Sequence, residues 1–110
     1  MIQIFGTAKC KLTRAAQRFF SDRRIAVQSI DLKQKAMSRG ELESVARAVG
    51  LRAMYAHEKD TTVRYAAPTD TQLTTLLLDQ PALLRTPIVR DGPKAAVGDA
   101  ADAWRAMAGD

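Results

Sequence analysis

The sequence predicts one α/β domain on a four-stranded mixed sheet: a β-α-β half, a helical block, then a β-β-α half. Three observations predict it. "IQIF" and "IAVQSIDL" are strand-like runs on either side of a helical repeat. "TPIVR" and "KAAVG" flank the tight turn "DGP" near the other end. Between them, two Ser/Thr-x-x-Glu/Gln patterns open a helical middle.

Each element follows from local chemistry. Ile2 to Phe5 forms a short buried strand, punctuated by Gly6 and Thr7. From Lys11, apolar Leu12, Ala15, Ala16 and Phe19 recur at helical spacing, with Lys11, Arg14 and Arg18 on the wet stripe. Ile25 to Leu32 alternates and is partly β-branched, so a second strand is expected near residues 26–30, parallel to the first because a helix crosses between them. Ser38 and Glu41 open a helix through Leu42, Val45 and Val49, and Gly50 stops it. Residues 51–67 are poorly periodic, a short helix plus loop. Thr69 and Gln72 open the next helix through Leu73, Leu76 and Leu77, ending by Pro81. Strands are expected at 87–90 and 94–97, antiparallel to each other. Asp99 is expected to cap a last helix through Ala101 and Trp104. Residues 1–110 thus read as a single domain with a helical insertion at about 36–80, without repeat or linker.

Composition excludes several classes. Hydrophobic residues at 46% and charged residues at 26% are ordinary for a globular chain, and no apolar run nears the roughly 18 residues that span a membrane. No secretory signal opens the sequence, and a single cysteine forms no internal disulfide, so a cytoplasmic setting is expected. One Cys and the lone His57 are too few for a structural zinc site, and Tyr55 and Tyr65 too few for a nucleic-acid stacking surface. The net charge of +5 is concentrated: residues 1–35 carry +6 and the remainder −1. That favours an anionic substrate, a thiolate or an acidic protein partner, with a solvated basic face as the bland alternative.

The excess surrounds Cys10, between Lys9 and Lys11. A helix N-terminus offers unpaired N–H groups and about half a positive charge, which favours thiolate over thiol. Arg14 lies one turn on, and the Thr13 hydroxyl is near enough to donate to the sulfur. A small buried cysteine that happens to begin a helix is the alternative; the flanking lysines argue against it.

β-α-β followed by β-β-α is the order of the thioredoxin fold. "GTAKCKLTRAAQRFF" and "PALLRTPIVRDGPKAAVGDAADAW", with the helical block between, resemble the arsenate reductase (ArsC)/Spx/YffB group of thioredoxin-like proteins. The resemblance implies that Cys10 is the nucleophile and Arg14 its basic neighbour, and that Pro87 is cis and lies against the thiol; a strand-initiating proline is the alternative. It also leads one to expect arginines where Thr86 and Asp99 stand. Arg85 lies one place before Thr86, where side chains alternate faces, so it reaches Cys10 only if the strand twists. A third basic position corresponds to Lys59 or Arg64. Arsenate chemistry needs a clamp of cations around a tetrahedral anion, so efficient arsenate reduction is not expected. With no resolving thiol in the chain, a disulfide on Cys10 must be resolved by an outside thiol such as glutathione, or by a glutaredoxin. Two functions follow: a monothiol oxidoreductase or thiol transferase acting through Cys10, or a Spx-like module that binds another protein, with Cys10 a redox sensor or idle.

Overall fold

In the computed structural model, which describes residues 1–60 and 68–109, strands β1 (Ile2–Gly6), β2 (Val27–Asp31), β3 (Ile88–Asp91) and β4 (Lys94–Val97) form one sheet in the order β2-β1-β3-β4. β1 pairs parallel with β2 and antiparallel with β3, and β3 pairs antiparallel with β4. Helices α1 (Lys11–Asp22), α2 (Arg39–Val49), α3 (Asp70–Asp79) and α4 (Ala101–Ala108) complete the architecture. This is the expected mixed α/β sheet.

Both faces of β1 are covered: Ile2, Ile4 and Phe5 are buried, with the partly exposed Gln3 between them. Ile2, Ile4 and Val89 pack with Ala16, Phe20 and Trp104 under α1 and α4. Phe5 and Ile88, one residue out of phase, pack with Leu42, Val45, Leu73 and Leu77 under α2 and α3. Both capping boxes form as read: Ser38 with Glu41, and Thr69 with Gln72, each side chain satisfying the other residue's backbone N–H.

Four local expectations change. The buried stripe of α1 is Thr13, Ala16 and Phe20, while Leu12 is 37% exposed. Two adjacent phenylalanines make the periodicity degenerate, and the fit of Thr13 against Gly6 selects the rotation. A Cβ on Gly6 would sit 2.3 Å from Thr13 Oγ1. The second strand runs Val27–Asp31, one residue beyond the expected 26–30, because α1 ends in a turn with Arg24 at φ 57° and no glycine to mark it. Ile25 N–H donates back to the Phe20 carbonyl at 3.0 Å. Asp99 does not cap α4; the cap position is Ala100 and no side chain bonds there. Gly98, at φ 74°, turns the chain as its N–H donates to the Pro87 carbonyl at 2.8 Å, and the helix starts beyond Asp99. In the insertion, residues 51–54 and 57–59 are 3₁₀ turns. Arg64 and Tyr65 lie outside the described residues.

Candidate active site around Cys10

The end of β1 delivers the chain into a tight loop, where Cys10 N–H donates to the Thr7 carbonyl at 3.1 Å. Cys10 is then the N-cap residue of α1, in extended conformation, and Arg14 N–H returns to its carbonyl at 3.1 Å. The thiol is half-buried and free. It therefore stands at the positive end of a helix while remaining open to a substrate.

Its partners come from both ends of the chain. Thr86 Oγ1 donates to Cys10 Sγ at 3.2 Å, and the thiol faces the Thr86 carbonyl at 3.8 Å. The Thr86–Pro87 peptide is cis. Burial pushes the Cys10 pKa up and is the largest single influence. The Thr13 and Thr86 hydroxyls and the Thr13 and Leu12 backbone N–H groups together outweigh it, and the pKa is lowered overall. Thr13 Oγ1 is buried and makes no well-formed hydrogen bond, so it is available to an ionised sulfur.

The other site residues separate into two groups. Lys11 and Arg14 are exposed on α1 beside the thiol. Arg14 NH1 donates to the Ala8 carbonyl, bracing the loop that presents Cys10, and the groups that favour the thiolate do not include it. Arg85 is turned to the insertion. Its guanidinium bonds Glu58 at 2.8 and 3.0 Å, and its NH2 reaches the Tyr55 carbonyl at 3.5 Å. The Arg85 hydrogen bonds are the main reason that the Glu58 carboxyl is held below its ordinary pKa. Lys59 is exposed on the same 3₁₀ turn as Glu58. Asp99 is exposed.

Sequence reasoning missed what holds Thr86 in place. Arg85 N–H donates to the Met54 carbonyl and Ala56 N–H to the Leu83 carbonyl, each at 2.8 Å, and Tyr55 bridges Leu84. The irregular part of the insertion thus runs as a short brace along the segment leading to Thr86. Its only trace in the sequence is a pair of apolar residues, Met54 and Ala56, both buried, spaced by two.

A model of the ArsC family matches residues 5–107, nearly the whole chain. The chain belongs to the ArsC family. No curated relative matches it. Solved structures share the fold: a YFFB protein superposes with a TM-score of 0.85 at 20% identity, covering 96% of this chain and 97% of that one. An arsenate reductase from Vibrio cholerae superposes at 0.75 with 24% identity, covering 88% of each. An arsenate reductase (ArsC) related protein from Brucella melitensis does so at 0.66 with 19% identity, covering 96% and 92%. These likenesses speak to the thioredoxin-like fold that places an ArsC-family Cys10 at the start of α1. Among the described residues, no helix is long and apolar enough to cross a membrane.

Proposed function

We propose that this ArsC-family chain is a monothiol oxidoreductase or thiol transferase acting through Cys10, with glutathione or a related thiol as co-substrate. The observation that carries the reading is the Thr86 hydroxyl donating to a half-buried, N-capping Cys10 sulfur at 3.2 Å. A donor aimed at the sulfur stabilises the thiolate, which is the nucleophile in disulfide exchange. Cys10 S⁻ attacks one sulfur of a disulfide R–S–S–R′. The S–S bond breaks, R′S⁻ leaves and takes a proton from solvent, and Cys10–S–S–R remains. A glutathione thiolate then attacks the R sulfur, forming R–S–S–G and releasing Cys10 S⁻. The glutathione sulfur is oxidised to the disulfide level as the R′ sulfur is reduced to the thiol R′SH.

Arsenate is a poor substrate on this reading. Thr86 and Asp99 stand where cations were expected, and Arg85 is committed to Glu58. The second reading, a Spx-like module with an acidic protein partner, draws support from Leu12, 37% exposed between Cys10 and a basic α1 face.

Glutathione-dependent reduction of a small disulfide, measured for the wild type and Cys10→Ser, tests the proposal. Turnover abolished by the substitution supports it. Wild-type protein without turnover overturns it in favour of the binding module.

A further inference from the structure

A cavity of about 250 Å³ is lined by Gly6, Thr7 and Ala8 of the loop before Cys10, though not by Cys10 itself. It opens between the loop before Cys10, the first turns of α1 and the end of β2. Thr7, Thr13, Arg14, Gln17, Ser29 and Asp31 supply its polar lining. Gln17 Nε2 donates to Ser29 Oγ at 3.4 Å, joining the helix wall to the strand wall.

Two charges line this space without meeting. Arg14 uses NH1 on the Ala8 carbonyl, and Asp31 uses Oδ1 to accept the Lys33 N–H at 2.9 Å. Among the described residues, Arg14 has no carboxylate partner and Asp31 no cationic one. A cation and an anion around one cavity are complementary to a ligand that carries both an ammonium and a carboxylate. The volume equals that of about eight waters at roughly 30 Å³ each. It is below the roughly 300–1,000 Å³ of pockets that enclose a drug-sized ligand, so it takes one end of a molecule.

We propose that this cavity binds the zwitterionic α-amino-acid end of a small thiol or disulfide, its carboxylate on Arg14 and its ammonium on Asp31. The placement rests on Cys10 being the thiol-exchange centre, because Arg14 is four residues, about 6 Å of helical rise, from Cys10. The rest of the ligand then extends toward the sulfur. A γ-glutamyl peptide thiol and a free amino-acid thiol share this chemistry.

The probe is S-methylglutathione, whose blocked sulfur forms no disulfide, titrated calorimetrically and by amide NMR. The wild type is expected to bind it with shifts at Gln17, Ser29 and Asp31. Asp31→Asn, which keeps an acceptor for the Lys33 N–H, should weaken binding about tenfold or more. The glutaryl counterpart, which lacks only the α-amino group, should bind the wild type correspondingly weakly and be indifferent to Asp31→Asn. Ser29→Lys, on an exposed edge-strand position, places an ammonium of the protein's own in the cavity and should abolish binding even if Asp31→Asn folds poorly. S-Methylcysteine separates the sources: Asp31-dependent binding of it supports recognition of any amino-acid group, and binding of the tripeptide alone supports a γ-linked one. No binding by the wild type, or equal binding by Asp31→Asn, overturns the inference. The two readings fail separately: Asp31-dependent binding without Cys10 turnover sinks the activity, and Cys10 turnover indifferent to Asp31 and to the α-amino group sinks the cavity.

Discussion

Thr86 and Cys10, 76 residues apart in the chain, meet with the hydroxyl of one 3.2 Å from the sulfur of the other. The pairing joins the start of α1 to the approach of β3, which β1 and β3 bring side by side. Removing the hydroxyl at constant shape, Thr86→Val, is expected to raise the Cys10 pKa. A hydrogen bond to a charged group stabilises that charge, so its loss should move the midpoint of ionisation upward. Alkylation rate against pH measures it. An unmoved midpoint would remove Thr86 from the site.

Stability should follow the same ionisation. The folded thiol pKa is lowered from its ordinary value, so the folded state holds the proton less tightly. The contribution of Cys10 is fully present above the unfolded pKa and is lost as pH falls through the folded one. Denaturation of the wild type and Cys10→Ser across that window should show a difference that grows with pH. A constant difference would contradict the lowered pKa.

Gly6→Ala should destabilise the fold by about 1–3 kcal/mol, because its Cβ would meet Thr13 Oγ1 at 2.3 Å and Cγ2 at 2.5 Å. Adding Thr13→Ala should recover part of that loss, a non-additivity expected of touching residues. Purely additive effects in urea denaturation would show that the contact is not what forbids a side chain at Gly6.

The rotation of α1 is tested by a pair of truncations. Phe20→Ala, at a fully buried position, should cost about 3–5 kcal/mol. Leu12→Ala, at an exposed one, should change stability by about 0.5 kcal/mol or less. The reverse order would restore the stripe read from periodicity alone.

Arsenate turnover with glutathione and glutaredoxin supplied should be weak. Each missing charge-assisted contact is worth roughly 1.5–3 kcal/mol, so two weaken anion binding by about two to four orders of magnitude. The double change Thr86→Arg with Asp99→Arg should confer sulfate or arsenate binding. Robust, Cys10-dependent turnover in the wild type would mean that Arg85 leaves Glu58 for the anion.

Much of this protein was decided by neighbours in sequence. The capping boxes of Ser38 with Glu41 and Thr69 with Gln72 need only three residues' reach, and both form as the local pattern demands. The strand of Ile2, Ile4 and Phe5, the hairpin around Gly92 and the place of Cys10 before the first helical turn are equally local. Where the local signal was degenerate, tertiary structure chose. Phe19 and Phe20 offer α1 two faces, and the space over Gly6 admits the one that buries Thr13. A flexible, charged side chain goes to whatever partner the fold brings nearest: Arg14 to the Ala8 carbonyl, Arg85 to Glu58 across 27 residues. The thiol's long-range donor, Thr86, is set by strand register and by the brace through Met54 and Ala56. Hydrogen bonds and ion pairs between distant segments depend on distances of a few tenths of an ångström, which no periodicity encodes. The sequence alone determined which elements form and where the cysteine sits; only packing decided what surrounds it.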